Sequence, residues 1–128
     1  MTGDTNRPRP PCAGYLRRLD GVDEQEELRL VAAMADFAER AGLALTLVAV
    51  EKRPGYVEAL HAVTRYCRNH GVRNVVVPTY EHLNQLPPLA HLAKELLQQD
   101  IGGLVWIAAS AGEEASSCPL TTRNGGTT

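Results

Sequence analysis

The sequence predicts one α/β domain, a three-layer sandwich around a mostly parallel central sheet of about four strands. Three observations point there. Short apolar runs alternate with amphipathic stripes in the order β-α-β-α-β-α-β, and helices between apolar strands imply right-handed crossovers onto a parallel sheet. Leu43 to Val50 and Val75 to Val77 are almost wholly apolar, as expected of strands covered on both faces. The 128 residues, 44% hydrophobic and 22% charged, suit a single globular domain.

The elements follow in chain order. Residues 1–11, MTGDTNRPRPP, are polar and proline-rich, and a segment that cannot bury apolar surface is expected to be disordered. The same holds for 110–128, rich in Ser, Thr, Gly and Glu, which leaves 12–109 as the folded domain. Cys12 to Leu19 has strand character. Asp23-Glu24-Gln25-Glu26 reads as a helix start, with Asp23 as N-cap and acids in the first turn. Leu28, Val31, Met34, Ala35, Ala38 and Ala41 form its stripe, Phe37 flanks it, and Gly42 stops it. Leu43 to Val50 is the second strand. Tyr56 to Asn69 is the second helix, with Val57, Leu60, Val63, Thr64 and Cys67 turned inward and Gly71 closing it. Val75 to Val77 is the third strand, ended by Pro78. The third helix runs from about Pro88 to Gln99 through Leu89, Leu92, Leu96 and Leu97, and Gly102-Gly103 breaks it before the strand Leu104 to Ile107.

Bulk properties narrow the function classes. A formal net charge of −2 and a pI near 6.1 exclude a chain that is basic throughout, while leaving room for a local basic patch. Cys12, Cys67 and Cys118 are odd in number and lack a C-x-x-C spacing, so they read as reduced thiols rather than a disulfide framework or a zinc site. No apolar run reaches the roughly 18 residues of a membrane span. No signal-peptide pattern follows Arg7 and Arg9, so a cytoplasmic location is the default expectation. No cofactor and no metal are expected: Gly102-Gly103 is a helix stop, Ser110-Ala111-Gly112 lacks the strand-turn-helix context of a nucleophile elbow, and His, Cys and carboxylates do not cluster.

In parallel α/β sheets, sites form beyond the carboxyl ends of the strands. Those ends carry Arg17-Arg18, Glu51-Lys52-Arg53 and Thr79-Tyr80-Glu81-His82, so the polar residues converge on one edge.

Several segments match a known family in order. Gly14-Tyr15-Leu16-Arg17, Asp23-Glu24-Gln25, Phe37 to Gly42, Arg53-Pro54-Gly55 followed by Leu60, and Val75 to Leu83 together resemble the catalytic domain of serine recombinases, the resolvase/invertase family, over about residues 13–107. The resemblance implies a resolvase-like fold and a family activity of DNA strand cleavage and exchange. In that chemistry a serine hydroxyl attacks a DNA phosphodiester, forms a phosphoserine link and releases a 3′ hydroxyl. Arginines around the phosphate stabilise its spreading negative charge.

Aligned on this family, Arg17 and Arg53 stand at arginine positions, but Leu19 stands at the position of the nucleophilic serine. The segment resembling D-R-L-x-R is Glu81-His82-Leu83-Asn84-Gln85, with His82 and Gln85 in place of its two arginines. Residues 12–22 contain no serine, so a one-residue slip of the alignment supplies none. The expectation is a degenerate relative without strand cleavage, keeping Arg17, Arg53, Glu81, His82 and Gln85 as an anion or DNA-phosphate pocket. Expected partners are DNA, bound weakly, and a protein partner or a second copy, with no membrane. Two other classes stay open: a regulatory or protein-interaction α/β module without DNA chemistry, and an enzyme of another kind using the strand-end pocket. Plain readings also stay open. Arg17 and Arg53 suit ordinary surface arginines, His82 a polar edge residue, Tyr15 a packing residue, Trp106 a sheet-edge residue and His91 with Glu95 a helix-surface pair.

Overall fold

The computed structural model describes residues 9–19, 21, 23–53 and 56–109, and the backbone of 123–124 and 126–127. Of the tail segments 1–11 and 110–128, residues 1–8 and 110–122, with Cys118, lie outside the described residues, as do Pro54-Gly55, whereas Pro11 belongs to the first strand, paired with Ala44. Strand β1 is Pro11–Arg17, helix α1 Glu24–Arg40, β2 Ala44–Glu51, α2 Glu58–His70, β3 Asn74–Val77, α3 Pro87–Ile101 and β4 Leu104–Ile107. A 3-10 turn, Tyr80–His82, sits between β3 and α3. A separate two-residue pairing joins Arg123–Asn124 to Gly126–Thr127.

The four long strands form one parallel sheet in the order β2-β1-β3-β4. Helix α1 returns the chain to one side of β1, and α2 carries it across to the other. The order therefore reverses between β1 and β3, the place at whose carboxyl ends open parallel sheets form their crevices. Met34, Phe37 and Ala38 of α1 pack on one face of the sheet with Cys12, Leu16 and Val76. Val63 and Cys67 of α2, with Ala90, Leu97 and Ile101 of α3, pack on the other with Ala13, Tyr15, Val75 and Val77. Alternation along β1 and β3 thus feeds two cores, and the three layers are helix, sheet and helix pair.

Local chemistry explains the element ends. The Asp23 side chain accepts from the Glu26 N–H at 2.9 Å, and three glutamates fill the first turn of α1, as expected of an N-terminus. Gly71 and Gly102 close α2 and α3 at φ of 68° and 66°, a left-handed conformation that costs glycine no steric clash. Gly103 is required for a different reason: a Cβ there would lie 1.9 Å from the Arg73 carbonyl oxygen.

Three expectations are corrected. The second strand is an edge strand, with Thr46 exposed and most of its residues half-buried, because the crossover of α2 leaves nothing beyond it. In α1, Leu28 is 70% exposed and Ala35 and Ala41 are exposed, while Phe37 lies in the core. In α3, Leu89, Leu92 and Leu96 face outward, and Ala90, Leu97 and Ile101 face the sheet. This helix carries two apolar stripes, and the one with the small Ala90 lets its backbone approach the sheet closely. Trp106 is half-buried, packs on Phe37 with centroids 6.0 Å apart, and donates Nε1–H to Asn74 Oδ1 at 3.0 Å. Cys12 and Cys67 are buried free thiols, and burial, with Cys67 nearby, pushes the Cys12 thiol up to about 11. No helix among the described residues is long and apolar enough to cross a membrane.

Candidate functional site

The crevice between β1 and β3 is built from the residues that end those strands. Arg17 is the last residue of β1 and half-buried. Its backbone N–H donates to His82 Nδ1 at 2.9 Å. Its guanidinium Nε donates to the Tyr15 hydroxyl at 3.2 Å. Tyr15 is fully buried, and burial raises its phenol above the ordinary range. The packing reading of Tyr15 therefore holds, and its hydroxyl also steers Arg17.

His82 is only 2% exposed. The 3-10 turn after Pro78 swings it back over the end of β1, where the Leu83 N–H bonds the Tyr80 carbonyl at 2.9 Å. Burial, reinforced by the Arg17 cation, pushes the His82 imidazole down to about 4. An Nδ1 that accepts an N–H cannot carry a proton, so the ring is neutral at pH 7 with its hydrogen on Nε2. His82 is thus neither a part-time cation nor a polar edge residue. It is a buried acceptor that terminates β1.

The neighbouring charges are also committed. The Arg18 N–H donates to the Glu51 carbonyl at 2.9 Å, and its guanidinium pairs with Glu27 of α1. Glu51 ends β2 at 5% exposure, and its Oε1 accepts from the Ala59 N–H at 2.8 Å. The N-cap residue of α2, Val57, supplies no side-chain hydrogen bond, so Glu51 caps this helix from a neighbouring strand. Arg53 is exposed, with its guanidinium 5.0 Å from the centre of the Tyr56 ring. Among the described residues it makes no hydrogen bond or ion pair with the Arg17 group. Glu81 and Gln85 are exposed, Leu19 is half-buried two residues beyond Arg17, and Thr79 Oγ1 is buried without a partner. The Tyr80 and His91 rings lie 4.4 Å apart, tilted by 35°, and among the described residues His91 forms no ion pair with Glu95.

Of the sequence candidates, the structure joins Arg17 to His82 directly and leaves Arg53, Glu81 and Gln85 exposed. Glu51 and Tyr15 gain roles that pattern reading did not assign, and Thr79 carries a buried hydroxyl without a partner. A carboxylate closing an apolar strand was the available signal for Glu51, and a threonine just past a strand-ending proline the signal for Thr79. Among the described residues no group of three or more His, Cys, Asp or Glu side chains is placed to hold a metal ion.

No protein-family model matches the sequence, and no curated protein matches it either. Among solved structures, the chain is similar to the C-terminal catalytic domain of ISC1926 TnpA, an IS607-like serine recombinase. The TM-score is 0.62 at 14% identity, over 77% of this chain and 68% of that one. At that identity the likeness establishes the fold: a four-stranded parallel α/β domain of the serine recombinase catalytic type.

Proposed function

We propose that this chain is a recombinase-like domain that does not cleave DNA and acts by binding. One observation carries the reading: the groups at the β1–β3 crevice are bonded to one another, and a hydrocarbon side chain, Leu19, occupies the serine position of the resemblance. Strand cleavage needs an oxygen nucleophile at the phosphorus and fixed cations around it. Here the residue at the first arginine position, His82, is neutral and buried, and Gln85 at the second carries no charge. Losing one such donor typically raises a barrier by about 3–4 kcal/mol, and this site lacks two as well as the nucleophile. Arg17 and the exposed Arg53 remain as cations for weak contact with a phosphate.

A second reading, a protein-interaction module without DNA chemistry, is favoured by the outward leucines of α3. Exposed apolar rows of this kind mark interaction surfaces.

Incubation with supercoiled plasmid tests the first reading. Neither the wild type nor Leu19→Ser is expected to relax or nick the DNA, since restoring a hydroxyl does not restore the cations. Relaxation by Leu19→Ser alone would show that the missing arginines are not what disables the site. Duplex binding measured across a salt series then separates the readings, because phosphate contact weakens steeply with salt.

A further inference from the structure

The outer surface of the α2–α3 layer carries two rows side by side. On α3, Leu89, Leu92 and Leu96 recur at i, i+3 and i+7 and are 45%, 55% and 52% exposed, while Ala90, Leu97 and Ile101 serve the core. On α2, His61, Arg65 and Arg68 recur at i, i+4 and i+7 on the side away from buried Val63 and Cys67, and all three are exposed. A groove of about 480 Å³ lies along α2, lined by these three residues with Thr64 and Asn69, and reaches α3 at Asp100. Asp100 lies one turn beyond Leu96, so the α3 wall of the groove continues the leucine row. Among the described residues, Arg65 and Arg68 form no ion pair.

We propose that this face docks an amphipathic helix whose apolar stripe lies on Leu89, Leu92 and Leu96 and whose α2-side flank is acidic. The i, i+3, i+7 spacing is the register in which helices anchor on one another. Charge fixes the orientation. Two guanidinium groups and an imidazole line the α2 side against one carboxylate, Asp100. The far side of the leucine row carries Glu95, beside Leu104 and Gly103 at the sheet edge, and disfavours a second acidic flank. A second copy of this chain fits less well. An antiparallel contact between two α3 helices would bring the two Arg65–Arg68 rows together, and a parallel one would offer that row only the single carboxylate Glu95 of the other copy. The proposal rests on the binding reading above and names the chemistry of the partner.

The test uses two fluorescein-labelled synthetic amphipathic helices with the same leucine stripe, one flanked by glutamates and one by lysines, read by anisotropy. The glutamate peptide is expected to bind the full chain at least about tenfold more tightly than the lysine peptide. Leu92→Glu, at an exposed position, is expected to weaken it by about tenfold or more. In Arg65→Glu with Arg68→Glu, the preference is expected to invert toward the lysine peptide. The proposal is overturned if neither peptide binds, if both bind alike, or if the double variant keeps the original preference. It is equally overturned if the wild type sediments as a dimer that Leu92→Glu makes monomeric. None of these outcomes bears on plasmid cleavage, so the two proposals fail separately.

Discussion

Replacing His82 by asparagine isolates the energetic role of the crevice. In the folded protein the ring is neutral and accepts the Arg17 N–H, and its proton affinity falls from 6.5 to about 4 because of burial and the Arg17 cation. Unfolded, the same imidazole takes up a proton below pH 6.5. The unfolded state then binds more protons than the folded one between pH 6.5 and 4, so stability drops as pH falls through that window. The contribution is fully present above pH 6.5, and the whole displacement corresponds to about 3 kcal/mol. His82→Asn keeps a short acceptor for the Arg17 N–H and removes the titration. Urea unfolding of both proteins at several pH values, followed by the fluorescence of the single tryptophan Trp106, separates the effect of His82 from that of the carboxylates they share. From pH 7 to pH 5 the wild type is expected to lose about 2 kcal/mol more than the variant. Parallel stability curves would mean that His82 titrates normally in the fold, and the description of it as a buried neutral acceptor would be wrong.

Other perturbations probe the scaffold that holds this edge. Gly103→Ala forces a methyl group to within 1.9 Å of the Arg73 carbonyl oxygen. It should cost about 3 kcal/mol in urea unfolding, and a neutral result would contradict the close approach of β4 to the Arg73 backbone. Glu51→Ala removes the acceptor of the Ala59 N–H and the negative charge at the start of α2. A loss of about 1–2 kcal/mol is expected, with Glu51→Gln losing less because an acceptor remains. Equal losses for the two variants would assign the effect to charge alone.

Much of the fold was legible in the sequence because the signals were local. Asp23 with its following glutamates marked the start of α1, the valine run marked β3, and glycines marked the helix ends. The parallel order followed from alternation, and the polar strand ends were placed on one edge. The parts that were not legible depend on contacts distant in sequence. Periodicity in α3 supports two apolar stripes, and only packing against the sheet selects Ala90, Leu97 and Ile101 over Leu89, Leu92 and Leu96. That β2 is an edge strand depends on the side to which α2 crosses. The state of His82 depends on Arg17, 65 residues earlier in the chain, and no local pattern encodes that pairing. The same pairing gives His82 an internal hydrogen-bond partner.

The most direct test of the central claim, that this crevice has no chemistry for breaking a DNA backbone, is intact mass spectrometry of the protein after incubation with supercoiled plasmid and denaturation. The account predicts an unchanged protein mass with the plasmid still closed. A species carrying covalently attached DNA, with the link mapped to Tyr15, Thr79 or any other hydroxyl, would contradict it.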